Sequence, residues 1–348
     1  MIPLITSIDA LPPDLAASVS PAEKRYLAEK TRLPFAVTPH FASLARPEQN
    51  DPIRRQFFPD PREELPDPFA LDDPLGGNRY LAAPWLIRQY QDRALLLAAN
   101  SCAGYCRHCF RRLWLGVSRP AVRPADFQPA LSYLAANAEI REVLVSGGDP
   151  LTLDNAALSD LLRRLRGARP DILLRVCTRV PITEPLRLDG ETVALFAAFR
   201  PLRLAVHINH PQELSPPAQT ALAACVSAGI PVLVQTVLMR GINDNPALLA
   251  RLFRNCLDLG LQPYYLFQMD LAPGTAHFRV PLKQGLEIYR ELGSLISGPA
   301  LPPYAVDLPG GGGKIRLHDN IIAGEKPTPA GTAYILKDAA NREWTYPA

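Results

Sequence analysis

Six short apolar segments recur through the middle of the chain and constrain its fold more than any other feature. They lie at 94–100, 142–148, 172–179, 202–209, 231–239 and 263–269. The segments between them, such as 155–167 and 216–229, place apolar residues three to four positions apart and end near glycine. Near-continuous apolar runs are typical of strands buried on both faces, and alternation of strand and helix predicts a parallel sheet. Right-handed crossovers would curl six such units into a barrel or partial barrel, so the predicted fold class is α/β.

The first eighty residues differ in composition from the rest of the chain, because they are rich in proline. Proline fixes φ and removes an amide donor, so long helices and central strands are not expected there. We therefore predict three parts: an irregular arm over residues 1–86, a partial (β/α)6 barrel over 87–300 and a short C-terminal segment over 301–348. Active residues are expected at the carboxyl ends of the barrel strands.

Composition excludes several classes of protein. The 348 residues are 47% hydrophobic and 20% charged, which fits a globular protein with one barrel of roughly 200–250 residues plus peripheral segments. A net charge of +3 without a basic tail argues against a nucleic-acid partner. No secretory leader is recognisable, and no stretch approaches the roughly 18 apolar residues of a membrane span. We expect a cytoplasmic protein with no membrane partner.

Three cysteines stand close together directly after the first predicted strand, as Cys102-x3-Cys106-x2-Cys109. Three thiolates on one loop could hold three irons of a [4Fe–4S] cluster and leave the fourth iron open, whereas electron-transfer clusters are closed by four cysteines. A zinc site is the alternative, closed by His108 or a distant cysteine, although adjacent His108 and Cys109 would chelate awkwardly. A chance grouping also stays open at this point.

The second predicted strand ends in Ser146-Gly147-Gly148-Asp149-Pro150. Two glycines allow a close approach of the backbone to a ligand, and the carboxylate could accept a hydrogen bond from an amino group. The alternative is an ordinary strand-to-helix turn in which Asp149 caps the helix.

A run of four glycines precedes Lys314, in Asp307-Leu-Pro-Gly-Gly-Gly-Gly-Lys314. Lys314 is one of only six lysines in the chain, and a lysine with a pKa lowered by burial can form a Schiff base. A phosphate-binding P-loop is excluded, because its spacing is not met and Ile315 follows the lysine. A plain flexible loop is the other interpretation.

The cysteine loop and the glycine turn together resemble the radical S-adenosylmethionine (SAM) superfamily. The resemblance implies that SAM chelates the open iron and that the reduced cluster cleaves SAM to a 5′-deoxyadenosyl radical. It assigns the cluster to the three cysteines and the methionyl amino group to the turn, that is, to Ser146, Gly147, Gly148 and Asp149. His108 departs from the aromatic residue of most members, a substitution similar to the aminomutase branch.

The glycine-lysine segment after such a barrel resembles the lysine 2,3-aminomutase family, over residues 85 to 320. That resemblance implies pyridoxal 5′-phosphate (PLP) bound to Lys314 as the catalytic lysine. It assigns the PLP phosphate to Tyr90 and Arg93, where an arginine can donate two parallel hydrogen bonds, the substrate carboxylate to Arg111, and a position near SAM to Gln235.

Two acids bear on the substrate. Asp270 and Asp307 match the pair that holds the distal ammonium of lysine in this family, and a buried carboxylate pair is costly unless a cation neutralises it. A strand-end cap for Asp270 and a turn residue for Asp307 are the alternatives from the residues alone. The resemblance implies an isomerase acting on L-lysine, with an electron donor such as flavodoxin or ferredoxin.

The segment after Lys314 runs to residue 348 without a cysteine. In this it resembles the elongation factor P (R)-β-lysylation proteins rather than the longer catabolic enzymes. The expected activity is conversion of (S)-α-lysine to (R)-β-lysine, functionally linked to elongation factor P and its lysyl ligase. Two alternatives are a free-lysine 2,3-aminomutase that gives (S)-β-lysine and a non-catalytic iron–sulfur sensor.

Overall fold

The computed structural model describes residues 2–29, 33–115 and 122–348, which form a ten-stranded sheet surrounded by helices, with a second, three-stranded sheet at the C-terminal end. The strands of the large sheet, which follow one another in chain order, are β1 (Leu81–Ala83), β2 (Leu86–Ile87), β3 (Arg93–Ala99), β4 (Glu142–Gly147), β5 (Leu173–Thr178), β6 (Leu202–His207), β7 (Val232–Val237), β8 (Gln262–Phe267), β9 (Tyr304–Leu308) and β10 (Gly313–Arg316). The small antiparallel sheet consists of β11 (Ile322–Thr328), β12 (Gly331–Lys337) and β13 (Glu343–Pro347).

The helices precede, connect and flank the strands. They are α1 (Pro13–Ala17), α2 (Pro21–Ala28), α3 (Pro39–Ser43), α4 (Arg54–Phe57), α5 (Arg112–Leu115), α6 (Gln128–Ala136), α7 (Asn155–Ala168), α8 (Val180–Thr183), α9 (Gly190–Ala198), α10 (Pro216–Ser227), α11 (Pro246–Asp258) and α12 (Leu282–Leu295). Of the helices described, none is both long enough and apolar enough to cross a membrane.

The predicted α/β partial barrel is confirmed. β3 to β8 are parallel and coincide with the six predicted apolar segments to within a few residues. Within the described chain no pairing joins β10 to β1, so the barrel is open. A seventh parallel strand, β9, pairs with β8. It was not predicted, because Asp307 interrupts its short apolar run.

The two faces of the barrel strands carry different side chains, because successive residues of a strand point to opposite sides. On β5, Leu174 and Val176 face outward and share one buried apolar cluster with Leu158 of α7. The alternate residues, Arg175 and Cys177, face the inside of the barrel. The outer face therefore supplies the core, and the inner face is left for polar groups.

Among its described residues, the N-terminal arm has four short α-helices, three short 3-10 helices, the strand β1 and an isolated bridge between Ile5 and Val37. It has a packed aromatic core, in which the rings of Phe35 and Phe58 lie 5.4 Å apart, and its Gln56 Nε2 donates to Glu213 of the barrel at 2.8 Å. The division into 1–86, 87–300 and 301–348 stays a prediction; the large sheet crosses both proposed boundaries.

Candidate active site

The residues that the sequence singles out come mainly from the carboxyl ends of neighbouring strands, which meet at one edge of a parallel sheet. They are Cys102, Cys106 and Cys109 after β3, Ser146, Gly147, Gly148 and Asp149 at the end of β4, Gln235 in β7, Asp270 after β8 and Asp307 in β9. Lys314 in β10 is the register partner of Asp307. Tyr90 and Arg93 are different, because they lie at the opposite end of β3.

The three cysteines are free thiols on one loop. Burial raises the pKa of Cys102 well above its ordinary value, and the neighbouring charges of Asp149, Cys109 and Cys106 raise it further. Burial and Cys106 raise the pKa of Cys109 to about 11. The three sulfurs therefore lie close enough to affect one another, and a cation that bound them would displace their protons.

These thiols fit a cluster better than a single metal ion. Among residues 2–29, 33–115 and 122–348, no three His, Cys, Asp or Glu side chains converge closely enough to hold one ion. In an iron–sulfur cube each thiolate binds its own iron, so three sulfurs need not meet at one point. The donor set, three thiols on a short loop, suits the cluster.

A buried arginine reaches the cysteine loop from the end of β5. Arg179 Nη1 donates to Cys106 Sγ at 2.8 Å, while its Nη2 donates to Gln56 at 2.5 Å and pairs with Glu213 at 3.3 Å. Since Gln56 and Glu213 fix the guanidinium on one side, its other side is held toward the sulfur.

The arm fixes the cysteine loop through a buried cluster of three charges. Arg107 donates to Glu63 through Nε at 2.7 Å and Nη2 at 2.6 Å, and Arg112 also donates to Glu63. The exposed fractions of the three side chains are 0% for Arg107, 2% for Arg112 and 1% for Glu63. Arg112 Nη1 donates further to the carbonyl of Gly274 at 2.9 Å, which ties the cysteine loop to the segment that follows β8.

The glycine turn at the end of β4 packs directly against the cysteine loop. Gly148 N donates to Ala99 O at 2.6 Å, and Asp149 N donates to Ser101 O at 2.8 Å. A Cβ on Gly148 would collide with the Ser101 carbonyl, and Gly147 has a φ of +112° that L side chains rarely adopt. The glycines are required for the two strand ends to approach each other.

The Asp149 side chain is engaged within the fold. Its carboxylate accepts from Thr178 Oγ1 at 2.7 Å, from Arg179 N at 2.7 Å and from Leu151 N at 3.0 Å. Burial nevertheless leaves the pKa of Asp149 above its ordinary value. The capping role left open by the sequence is present in the structure, and the role toward SAM stays a prediction.

Lys314 lies on the inner face of the barrel with its ammonium in a polar and aromatic setting. Its Nζ donates to Asp307 Oδ2 at 2.6 Å and lies 4.0 Å from the ring centroid of Phe267 and 5.2 Å from that of Tyr265. Its backbone amide donates to the Tyr90 hydroxyl at 2.9 Å. Lys314, Asp307 and Tyr90, separated widely in the sequence, are brought together.

Asp270 completes this group from the segment after β8. Burial and the charge of Asp307 raise the pKa of Asp270 to about 8, while Lys314 and Arg111 act in the opposite direction. Arg111 Nη1 lies 3.3 Å from Ser146 Oγ and donates to it, so the predicted carboxylate-binding arginine adjoins the glycine turn. A cation bound beside this acid would favour its charged form and lower its pKa.

A cavity of about 520 Å³ runs along the inner face of β3. Its lining includes Tyr90 and Arg93 at one end, Leu95 and Leu97 along the strand and Arg111 beyond the cysteine loop. The Arg93 guanidinium stacks 3.7 Å from the centroid of the Tyr90 ring. The volume lies in the range of cofactor and ligand sites, and the two arginines in the lining suit an anionic molecule. Tyr90, which lines the cavity, accepts a hydrogen bond from the Lys314 amide, so these residues could hold PLP.

Gln235 lies in β7 with its Cα in register with His207 of β6 and Tyr265 of β8. Sequence reasoning missed Glu63, Arg179 and the two rings beside Lys314. Arg179 could have been found, since it is the last residue of a predicted strand at the active edge. Glu63 carries no local signal, because only the fold brings it to the cysteine loop.

Comparison with known proteins decides the family. An L-lysine 2,3-aminomutase from Fusobacterium nucleatum is 36% identical over 296 residues, which are 85% of this chain and 70% of that protein. The chain belongs to the lysine 2,3-aminomutase family. A Treponema pallidum protein, named provisionally as an L-lysine 2,3-aminomutase, is 42% identical over 80% of this chain and 78% of its own length. The predicted enzyme class, an isomerase of the aminomutase type, is confirmed.

The family also includes a different named substrate. A glutamate 2,3-aminomutase from Clostridioides difficile is 34% identical over 95% of this chain and 77% of that protein. No protein-family model matches the chain. Among solved structures, a radical SAM methyltransferase from Sphaerobacter thermophilus is similar at a TM-score of 0.46 and 20% identity, over 64% of this chain and 67% of that one. The family assignment rests on the sequence relatives.

Proposed function

We propose that this aminomutase acts on L-lysine and moves its α-amino group to the β-carbon, using a [4Fe–4S] cluster, SAM and PLP. The observation that carries the proposal is the group formed by Lys314, Asp307 and Asp270: a lysine bonded to one carboxylate at 2.6 Å, beside a second acid whose pKa burial raises to about 8. This group combines a lysine suited to hold an aldehyde with a site for an ammonium.

The three cysteines would hold the cluster, and the turn from Ser146 to Asp149, with Gln235, would face SAM. When bound, cluster and SAM supply a 5′-deoxyadenosyl radical. The contribution of the chain is placement: the glycines bring β4 against the cysteine loop, and Arg107 and Arg112 fix that loop to the arm through Glu63. Radical transfer needs this placement because the reacting atoms must be held together and away from water.

Lys314 would hold PLP, which would supply the unsaturated group through which the substrate amino nitrogen can migrate. Arg93 and the Tyr90 hydroxyl would hold the phosphate at one end of the cavity, and Arg111 would bind the substrate carboxylate at the other. The hydrogen bond from the Lys314 amide to Tyr90 fixes the backbone of the lysine relative to this end.

Charge selects lysine over glutamate. Asp307 and Asp270 face the place where the end of the substrate side chain would lie. A glutamate side chain would bring a second negative charge beside Asp307 and would favour the neutral form of the buried Asp270. Two like charges at such a short distance from each other are strongly unfavourable in a buried site. A lysine ammonium would instead neutralise the pair.

A reconstitution experiment tests the proposal. Purified protein is loaded anaerobically with iron, sulfide and PLP, given SAM and a reductant, and supplied with L-lysine or L-glutamate. We expect β-lysine from lysine and no β-glutamate. Lys314→Ala should lose both turnover and the Schiff-base absorbance, whereas Lys283→Ala, which removes an exposed lysine paired with Glu325, should keep both. Identical behaviour of the two variants, or preference for glutamate, refutes the proposal.

The finer part of the proposal is an (R)-β-lysine product for the modification of elongation factor P through its lysyl ligase, with a flavodoxin or ferredoxin as reductant. It is supported by the sequence resemblance alone. Chiral chromatography of the product tests it: an (S)-product would identify an enzyme of free-lysine metabolism. An intact cluster with no Schiff-base band and no turnover would identify an iron–sulfur sensor.

A further inference from the structure

The ammonium of Lys314 occupies a box with two kinds of wall. One wall is the Asp307 carboxylate, whose Oδ2 is 2.6 Å from Nζ, with Asp270 close by. The other is aromatic: the centroid of the Phe267 ring lies 4.0 Å from Nζ and that of Tyr265 lies 5.2 Å away. Both distances are within the roughly 6 Å at which a ring face attracts a cation.

The two rings form one surface. Tyr265 and Phe267 are two positions apart on β8, so they project from the same face of the strand. Their centroids are 5.1 Å apart and their planes are inclined by 28°, so the rings are stacked. A stacked pair is held by its own contacts, and the Phe267 face therefore keeps its direction when Lys314 moves.

The box recognises an ammonium, whichever molecule supplies it. In the function proposed above, on which this inference rests, Lys314 would be bonded to PLP when the substrate enters, so its nitrogen would not then lie beside Asp307 as a free ammonium. At that stage the box would lack a cation. The substrate carries an ammonium at the far end of its side chain, and the same carboxylates have been proposed to receive it.

We propose that the face of Phe267 is a further determinant of substrate specificity and binds the distal ammonium of lysine by a cation–π contact. The carboxylates attract any cation, while the ring adds a flat apolar wall that suits an ammonium on an aliphatic chain. Phe267 contributes to substrate binding and not to the chemical step.

Kinetics of the reconstituted holoenzyme test the role of the ring. Phe267→Leu keeps an apolar side chain and removes the ring face, and Phe267→Tyr keeps the face. We expect Phe267→Leu to raise KM for L-lysine by about 5- to 30-fold, the range of a partly desolvated cation–π contact, with kcat changed less than about twofold. Phe267→Tyr should restore a KM near that of the wild type.

L-Norleucine separates charge recognition from packing, because it has the carbon chain of lysine without the distal ammonium. Its inhibition constant should be nearly the same for wild type and Phe267→Leu. If norleucine binding weakens as much as lysine binding, the ring only packs against the chain and the inference is wrong. An unchanged KM for lysine in active Phe267→Leu also overturns it. Absence of β-lysine from the wild type would instead refute the proposed function, so the two failures are distinguishable.

Discussion

Replacing Glu63 by glutamine would leave two buried guanidinium groups without a counter-charge. Glu63 receives two hydrogen bonds from Arg107, at 2.7 and 2.6 Å, and one from Arg112. Glutamine has nearly the same shape but keeps only one acceptor oxygen and directs an amide N–H₂ at the arginines. The substitution therefore removes charge and hydrogen bonding while preserving volume.

The size of the expected loss of stability follows from the burial of the two arginines. Since both arginines are at most 2% exposed, water cannot replace the lost partner, and removing one member of a buried ion cluster costs about 3–5 kcal/mol. Glu64→Gln is the matched control, because the neighbouring Glu64 is exposed and such changes stay within about 0.5 kcal/mol.

Urea unfolding of the two variants and the wild type measures the difference in the free energy of unfolding. Iron analysis after reconstitution measures how much iron the cysteine loop binds. We expect Glu63→Gln to lose both stability and iron, since Arg107 lies between Cys106 and Cys109 and Arg112 follows them closely. Burial alone would raise the pKa of Glu63, but the two guanidiniums outweigh it and lower the pKa. The stabilisation is thus present above the ordinary value of 4.5 and is lost as pH falls through the folded value, so the difference between variant and wild type narrows in acid. A loss below about 1 kcal/mol at neutral pH with normal iron content would refute the reasoning.

Three further predictions follow from individual contacts. KM for L-lysine should fall as pH rises toward 8, because burial and Asp307 raise the pKa of Asp270 to about 8 and the ammonium binds the carboxylate form; an unchanged pH profile in Asp270→Asn would contradict this. Gly148→Ala should lower both melting temperature and iron content through collision with the Ser101 carbonyl, whereas Gly167→Ala, which meets open space, should leave both unchanged. Tyr80→Phe removes a 2.7 Å hydrogen bond to Gly311 O and should cost about 1 kcal/mol in urea unfolding.

The sheet could be predicted from the sequence because parallel strands buried between helices carry long apolar runs. β3 to β8 were found in this way to within a few residues. β9 was not predicted because Asp307, an inward-facing residue, interrupts its short apolar run. The antiparallel β1 and β2 escaped because they contain only three and two residues, too few for any periodicity.

In the candidate site, too, local features could be predicted from the sequence and long-range contacts could not. The cysteine loop, the glycine turn and Lys314 could be recognised because each is a local pattern. Glu63 could not, because its partner Arg107 is 44 positions away in the chain. Arg179 could have been suspected from its place at the end of a predicted strand, but its partner Cys106, 73 positions away, could not. Likewise, only the fold shows that Asp149 is already bonded to Thr178.

The glycine run before Lys314 has a consequence for the order in which the molecule is made. Arg79 Nη1 donates to Gly310 O, and the Tyr80 hydroxyl donates to Gly311 O, across 231 residues of sequence. During synthesis the barrel strands emerge and can pair while residues 79 and 80 still lack these partners, since chains are made from the N-terminus. The glycine run that precedes Lys314 is therefore fixed late, and a nascent chain that ends before residue 310 would leave Arg79 and Tyr80 without these partners.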